Sequence, residues 1–573
     1  MSEARLSRAA KRQLGQYLTP PATSAAIVAQ LPFRPHEVIL EPSFGSGNFV
    51  IELAKRANRS LTAAEFRSWH GSRLFGCEID REAYESFADE WRSRGWGPPP
   101  EHLIQNDFFR WMPRGCDRGA ATNRQRYFAS RMEQFDLVIG NPPFGASIDP
   151  KIQDELDAIL GFRCGMKIKK ESYAFFIVKS LDVLKPGGRL VFICSDTILT
   201  IATMTGLRSW IQTICDVEIS VVPGEFEETN QDMVVLSLTK TLRKPAAIRV
   251  FNRVVPLTEI EATPNLSWRV NSEFARYFTG ATIGERLVAS SGMTIGNNDL
   301  FLRRIVDEKV DEPYHFSLAE APITVEREFA KARLGKLSPA RVRKLRSLEA
   351  EGATETIVRA ELRALPIEVR LPHEDYRYYN KASARILYAP AEWVIFWRDD
   401  GQYVYTFKKN GNWYLHGVGG KKYFKREGLT WALIAPRLYA RYLPPGYILD
   451  SGAPCAFLRE GVPRDELFFV LGWALTDDCN AILKNVLNHT RNIQSKDFER
   501  LPYPVWIGRS ARRRATETVQ RLVERAKAGE ALTFKSDAVR ALNELYAWRE
   551  ASPDIGDRGT SRRKRRHQQI ELF

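Results

Sequence analysis

One run in this sequence cannot continue as it begins, and that constrains the fold most. Phe135-Asp136-Leu137-Val138-Ile139-Gly140 is short and mostly apolar, and Asn141-Pro142-Pro143-Phe144 follows it at once. The apolar part, with β-branched Val138 and Ile139, predicts a buried strand. Two prolines forbid further ladder hydrogen bonds and hold the backbone extended. An amide side chain, proline-flanked carbonyls and an aromatic face are thereby presented at the carboxyl end of a strand. Open α/β sheets bind their ligands there.

The chemistry that wants this set is specific. An exocyclic amino group on a heteroaromatic ring is a poor nucleophile, because its lone pair is delocalised. Two acceptors, the Asn141 side-chain carbonyl and the Pro142 carbonyl, can take both N–H bonds and draw the nitrogen toward tetrahedral geometry. Phe144 can stack on the ring, worth roughly 1–3 kcal/mol per base. The competing reading is an ordinary strand closed by a Pro-Pro turn.

Other segments place further chemistry at strand ends. Gly15-Gln16-Tyr17-Leu18-Thr19-Pro20-Pro21 leads into a predicted helix, Ala22 to Leu31. Thr19 can cap that helix, and a helix start suits a carboxylate. Val38-Ile39-Leu40-Glu41-Pro42-Ser43-Phe44-Gly45-Ser46-Gly47-Asn48 reads as strand, then glycine turn, then helix from Phe49 to Ala57. Gly45 and Gly47 let a backbone approach a ligand closely. No Gly-Lys-Ser/Thr follows, so this is not a phosphate loop. Glu41 would repel phosphate and suit a cationic or amino-acid moiety.

Leu74 to Asp80 reads as the second strand, with Glu78 at its tip, placed to take the two hydroxyls of a ribose. Asp80 is expected to cap the next helix, Arg81 to Trp91. In Ile104-Gln105-Asn106-Asp107-Phe108-Phe109, Asp107 can accept from an adenine amino group and Phe108 can stack on the ring. Core packing is expected for one of the two phenylalanines. Glu171 to Leu184 predicts a helix closed by Lys185-Pro186-Gly187-Gly188. A strand (Arg189 to Cys194), a helix (Thr197 to Ile214) and two strands (Val217 to Val222, Met233 to Thr239) follow. Strands alternating with helices predict a doubly wound α/β sheet.

Composition bounds the class. A chain of 573 residues exceeds one ordinary domain, and 44% hydrophobic with 27% charged residues is globular. No apolar run approaches the roughly 18 residues of a membrane span, so no membrane partner is expected. Met1 to Arg12 is basic without an apolar core, unlike a secretory signal. The seven cysteines are scattered. That predicts a reducing cytoplasm, with neither a disulfide framework nor a metal site. A net charge of +15 favours a polyanionic partner.

Taken in order, the motifs over residues 13–240 resemble the gamma-class N6-adenine DNA methyltransferases, the TaqI-methyltransferase-like group. The resemblance implies a Rossmann-like doubly wound methyltransferase domain (1–245) and S-adenosylmethionine as cofactor. A mixed α+β target-recognition domain (246–548) would follow, then a basic tail (549–573) expected to lack order. Thr19 would contact the methionine carboxylate, and Glu41, Pro42, Gly45 and Gly47 would line the methionine pocket. Glu78 and Ile79 would hold the ribose and pack on the adenine, and Asp107 and Phe108 would bind that adenine. Asn141 and Pro142, with Pro143, would form the catalytic turn. Phe144 would stack on a flipped-out target base, and Phe226 would cover its other side, although Glu227 stands where that motif often has proline. Transfer would be direct, with no metal. Double-stranded DNA is the implied partner, with a separate nuclease or defence subunits as further partners.

The second half carries no such cassette. Ser291 to Phe301 is a glycine-punctuated loop resembling the opening of recognition domains in that family. Ala330 to Leu365 reads as a charged helical insertion. Trp393 to Trp431 interleaves aromatic and basic residues, which suits phosphate contacts beside stacking surfaces or, equally, an aromatic core under solvated cations. Lys425-Arg426-Glu427-Gly428-Leu429-Thr430-Trp431, Leu443 to Tyr447 and Asn492 to Pro502 are similar to segments of adenine methyltransferases from BREX phage-defence systems and fused restriction–modification enzymes. Asp554 to Gln569 includes Arg562-Arg563-Lys564-Arg565-Arg566 and binds phosphate nonspecifically if at all. Rival readings are a protein glutamine-N5 methyltransferase, an RNA base methyltransferase and a catalytically silent DNA-specificity subunit. The large basic, aromatic-rich second half and the early Thr-Pro-Pro motif argue against the first.

Overall fold

The predicted apolar runs become parallel strands because helices cover both of their faces. The computed structural model describes residues 19–109, 134–144, 171–223, 232–278, 280–295, 298–305, 376–405 and 418–548, with short pieces at 154, 314–317, 366–369, 408–409 and 412–413. In chain order the first half forms α1 (Pro21–Gln30), β1 (Ile39–Glu41), α2 (Asn48–Ser60), α3 (Ala63–Arg73), β2 (Leu74–Glu78), α4 (Arg81–Ser93), β3 (Leu103–Gln105) and β4 (Phe135–Gly140). Next come α5 (Ser172–Val183), β5 (Leu184–Ser195), α6 (Thr205–Ile214), β6 (Cys215–Val221), β7 (Met233–Lys240), β8 (Ala247–Val250) and β9 (Arg253–Pro256).

These strands make one nine-stranded sheet in the order β3-β2-β1-β4-β5-β7-β6-β8-β9. The first five are parallel, while β7 runs antiparallel to both β5 and β6. Side chains alternate between two cores, as a period of two requires. Leu40 and Val138 join Phe175, Ile177 and Leu207 on one face. Ile39, Leu137 and Ile139 join Val50, Phe66 and Phe87 on the other. With both faces buried, the strands read as continuous apolar runs. Truncating Ile139 to Ala would cost about 2–5 kcal/mol.

Several expectations need correction. Lys185-Pro186-Gly187-Gly188 does not separate a helix from a strand. β5 begins at Leu184, directly after α5, and the ladder with β4 is irregular between Phe135 and Leu137. Lys185 reaches back from there to Asp136, at 2.8 Å. Thr197 to Ile214 is not one helix: two short 3₁₀ turns precede α6. The sheet also runs past the expected boundary at 245. β8 pairs with β6 and β9 with β8, and Trp268 and Val270 still belong to the same core.

Beyond the short helix Leu257–Ala262 the chain builds two four-stranded sheets. One is β10 (Leu287–Ser290), β17 (Cys455–Leu458), β14 (Gly428–Thr430) and β15 (Arg441–Leu443), in that spatial order. The other is β11 (Leu302–Arg304), β13 (Trp393–Phe396), β12 (Tyr376–Asn380) and β16 (Ile448–Leu449). α7 (Asp465–Ala474) and α8 (Arg509–Lys527) pack beside them, sharing a core that includes Phe469, Trp473, Val519 and Val523.

Among the described residues, the aromatics between the basic residues are mostly core. Trp431 is fully buried, stacked on Phe498 with centroids 4.4 Å apart, and donates to the Ile493 carbonyl (3.1 Å). Tyr423 stacks on Phe457 at 4.9 Å. The cations above them stay exposed, with Lys421 over Tyr405 at 4.3 Å and Arg426 over Tyr423 at 5.5 Å. In the glycine-punctuated loop, a Cβ on Gly292 would meet the Leu449 carbonyl oxygen at 2.1 Å, so only glycine allows that approach. The Asn492 to Pro502 segment caps its own helix, Ser495–Arg500, and joins the same core through Phe498 and Leu501. The charged insertion at 330–365 and the basic tail lie outside the described residues.

Candidate active site

β1 has β2 on one side and β4 on the other, so the winding direction reverses between β1 and β4. Such a switch point opens a crevice beyond the carboxyl ends of the strands. Glu41 ends β1, and Asn141 follows the last residue of β4. The two tips lie side by side at Gly140. A Cβ built there would lie 3.4 Å from Glu41 Cγ and 3.6 Å from Pro42 Cδ. The acidic tip and the Asn-Pro-Pro-Phe turn therefore occupy one site.

Within the turn, Pro142 is buried, while Asn141, Pro143 and Phe144 are partly open. The Ser172 hydroxyl at the start of α5 donates to the Pro143 carbonyl. The Phe144 ring leans on Tyr173, with centroids 5.7 Å apart. Tyr173 is itself buried, its hydroxyl 3.3 Å from Thr197 Oγ1. Burial pushes that phenol above its usual range.

The glycine turn wraps the acidic tips. Gly45 and Gly47 both take positive φ, +55° and +81°. A Cβ on Gly47 would come within 2.2 Å of the Phe87 ring. The Gly45 N–H donates to Glu78 Oε2 and the Asp80 N–H to Glu78 Oε1, both at 2.7 Å. Burial raises the Glu78 carboxyl above its ordinary range, opposed by those backbone donors. Glu41 is buried too, and its Oε2 accepts from the Val50 N–H in the first turn of α2 at 3.1 Å. A carboxylate suits that helix end. Burial raises its pKa well above the usual carboxylate value, the Val50 bond opposes this, and Glu78 adds to it.

Thr19 does not cap α1. Pro20 holds the cap position and no side chain bonds there. Instead the Thr19 carbonyl accepts from Asn48 Nδ2 at 2.7 Å, which brings the Thr-Pro-Pro segment onto the glycine turn. Asp80 caps α4 as expected, accepting from the Glu82 and Ala83 N–H groups. Ile79 is 55% exposed beside Glu78, an apolar side chain at the rim of the crevice. Asp107 accepts from the Phe109 N–H at 2.9 Å.

Phe108 departs from its expected role. Both Phe108 and Phe109 are buried, and the Phe108 ring stacks on Phe176 at 5.3 Å with Lys179 Nζ 4.5 Å from its centroid. Both phenylalanines are core, so the Phe108 ring is no open stacking surface. Phe226 lies outside the described residues.

Two residues of the site region went unnoticed in the sequence. One is Gly140, which stands beside Glu41 and Pro42 where the two tips approach. The other is Lys179, a cation inside the apolar run of α5. Its Nζ donates to the Phe108 carbonyl. Burial pushes its ammonium down to about 8, with Cys77, Asp107 and Asp182 pulling the other way. A lysine among Phe176, Ile177 and Leu181 was the available signal.

This set fits S-adenosylmethionine. Glu78 is fixed from behind by two backbone donors and can accept a ribose diol. Ile79 offers an apolar rim, the glycines admit a close approach, and the Glu41–Glu78 pair favours a positive centre. Among the described residues, no cluster of three or more His, Cys, Asp or Glu is placed to hold a metal ion, and no helix is long and apolar enough to cross a membrane.

Comparisons with known proteins agree with this geometry. Residues 72–222 match the family model described as Eco57I restriction-modification methylase. The chain is 27% identical over 297 residues to the type II methyltransferase M.TthHB8I of Thermus thermophilus, covering 50% of this chain and 58% of that protein. It is 30% identical over 128 residues to the adenine-specific methyltransferase PglX of Lacticaseibacillus casei, covering 22% of this chain and 10% of that one. The chain thus spans little more than half of the Thermus relative and far less of PglX. In fold it resembles the type IIL restriction-modification enzyme MmeI, solved in complex with DNA. The TM-score is 0.54 at 10% identity, over 96% of this chain and 78% of that one.

Proposed function

We propose that the protein is a site-specific DNA adenine-N6 methyltransferase, acting in a restriction–modification or phage-defence system of the cytoplasm. The observation that carries this is the meeting of the Asn141-Pro142-Pro143-Phe144 turn with the Glu41 tip at the switch point of the sheet. Similarity to proteins named as type II and adenine-specific methyltransferases supports the substrate class.

S-adenosylmethionine, when bound, supplies an electrophilic methyl group on a positively charged sulfur. Thr19, Glu41, Pro42, Gly45 and Gly47 line its amino-acid end. Glu78 accepts from the ribose hydroxyls, Ile79 packs on the adenine, and Asp107 accepts from the adenine amino group. The target adenine is taken out of the duplex, as chemistry on a stacked base requires. The Asn141 side-chain carbonyl and the Pro142 carbonyl would accept hydrogen bonds from its amino group, which localises the nitrogen lone pair; the N–C bond would form as the methyl–sulfur bond breaks, and one N–H proton is then lost to solvent. Phe144 stacks on the ring, and Phe226 closes the other side. The methyltransferase unit ends after the nine-stranded sheet and its flanking helix. The two smaller sheets and the C-terminal helices then form the recognition unit, which reads double-stranded DNA. A separate nuclease or defence subunits act with it.

The test is methylation of mixed genomic DNA by the purified protein with S-adenosylmethionine, read by modification-sensitive long-read sequencing. N6-methyladenine at one short motif, absent with Asn141→Ala, is the expected result. No mark on DNA from protein that binds the cofactor would overturn the proposal, and RNA and release-factor substrates would then be offered.

A further inference from the structure

The two halves of the chain meet in a polar seam at the carboxyl end of β5. His489 follows the π-helical turn Leu483–Leu487 of the second half. Its Nε2 lies 2.7 Å from Asp196 Oδ2 and its Nδ1 2.7 Å from Thr200 Oγ1, so both ring nitrogens are engaged. The Asp196 carboxylate also has the Arg269 guanidinium at 3.9 Å, and its N–H donates to the Asp232 carbonyl at 3.0 Å. Asn265 Nδ2 donates to the Val486 and Leu487 carbonyls at 3.1 and 3.2 Å, which fixes the turn that carries His489.

From Asp196 the contacts lead to the crevice. Thr197 Oγ1 is 2.9 Å from Ser195 Oγ and 3.3 Å from the Tyr173 hydroxyl. The Tyr173 ring backs Phe144. β5 is also the direct neighbour of β4, with Gly140 opposite Phe192. Four short steps thus join a residue of the second half to the aromatic of the Asn-Pro-Pro-Phe turn. An apolar seam could hold the halves together without desolvating a carboxylate. A polar contact with both ring nitrogens satisfied also fixes one geometry at its far end.

We propose that His489 is a positioning residue for methyl transfer: it holds Asp196 and Thr200, and with them the turn that carries Thr197, and through the Tyr173 hydroxyl it sets the Phe144 ring against the target base. The inference rests on the reading of Asn141 to Phe144 as the catalytic turn. The second half then does more than recognise DNA, because it completes the geometry of the first. The seam stands at the end of β5, two strands from β1 with Glu41 and three from β2 with Glu78, so cofactor affinity is expected not to depend on it.

The test compares the full-length wild type with His489→Ala, His489→Gln and Tyr173→Phe. Single-turnover methylation is measured at saturating DNA and S-adenosylmethionine, and cofactor affinity by calorimetry. His489→Ala should lower the transfer rate on the order of 10–100-fold, the usual consequence of slight misplacement at a reacting centre. Cofactor affinity should stay unchanged. His489→Gln, which keeps an N–H donor toward Asp196, should recover most of the loss. Tyr173→Phe should lower the rate similarly, and its combination with His489→Ala should cost little more than either alone, as expected of residues on one path. A wild-type rate in His489→Ala, or losses that multiply in the double variant, would overturn the inference. If His489→Ala fails to fold, Thr200→Val, which removes the partner of His489 Nδ1, carries the same test: it should lower the transfer rate with cofactor affinity unchanged, and a wild-type rate would overturn the inference. A wild type that methylates no DNA removes the catalytic reading and this inference with it. An active wild type with an indifferent His489→Ala removes the inference alone.

Discussion

Replacing Glu78 by Gln changes almost no volume, so its effect can be worked from hydrogen bonds alone. An ionised carboxylate offers about four lone-pair sites. Two are occupied here, by the Gly45 and Asp80 N–H groups at 2.7 Å each. The remaining two match the two hydroxyls of a ribose. Glutamine has one carbonyl oxygen and one amino group. Whichever way it is turned, one backbone N–H faces another donor and one hydroxyl loses its acceptor. A hydrogen bond to a charged group is worth about 1.5–3 kcal/mol. Loss of one predicts cofactor binding weaker by about 10- to 150-fold. Calorimetric titration should be run on wild type and variant with S-adenosylmethionine and with an analogue lacking both ribose hydroxyls. The wild type should prefer the natural cofactor strongly, and the variant should lose most of that preference. An equal loss of affinity for both ligands would refute the assignment of Glu78 to the ribose.

Further expectations concern the same turn and the tail. Gly47→Ala should destabilise the protein by about 2–5 kcal/mol, from left-handed backbone strain and overpacking against Phe87. A denaturant midpoint unchanged from wild type would show that the turn tolerates a Cβ. Glu41 is raised by burial, so the fold favours its protonated form. The stability it contributes is present below its unfolded pKa and lost as pH rises through the folded one. Melting temperature should therefore fall across that window for the wild type and stay flatter for Glu41→Gln, whose carbonyl still accepts from Val50; parallel curves would contradict the burial argument. Cofactor affinity should weaken on acidification at a higher pH than an ordinary carboxylate would give, and a constant affinity down to pH about 4.5 would contradict it. Removing Asp554 to Phe573 should weaken DNA binding uniformly and reduce its salt slope, and unchanged values would show that the tail makes no phosphate contact.

Much of the sheet, and the crevice at its strand ends, was legible in the sequence. Apolar runs there end abruptly in turn chemistry, and function in this architecture sits where strands end. Glu41, Glu78 and Asn141 could be placed from neighbours only a few residues away. What escaped was set by distant partners. Thr19 was read as a cap because local spacing allows it, but its carbonyl is taken by Asn48, 29 residues on. Phe108 looked like a stacking ring until α5 covered it. Lys185 to Gly188 carry helix-stop and turn signals, yet the chain stays in strand because Lys185 finds Asp136 and β4 offers a ladder. β8 and β9 follow no boundary signal, since a strand pairs with whatever edge lies free. The contact of His489 with Thr200 spans 289 residues, and no local pattern encodes it.

α5 grips two structures at once. Ser172 in its first turn holds the Pro143 carbonyl, and Lys179 holds the Phe108 carbonyl beside Asp107. The anchors are seven residues apart, about two turns and 10 Å along the axis. They project on nearly the same side, because a heptad drifts only about 20° from two full turns. The helix is thus a ruler between the Asn-Pro-Pro-Phe turn and the Asp107 loop. Its length cannot drift as loop lengths do. One residue inserted between Ser172 and Lys179 would swing the second anchor by about 100° and detach one grip. A change in the spacing of these two residues should therefore disturb the site more than an exchange of one apolar residue between them for another of similar volume.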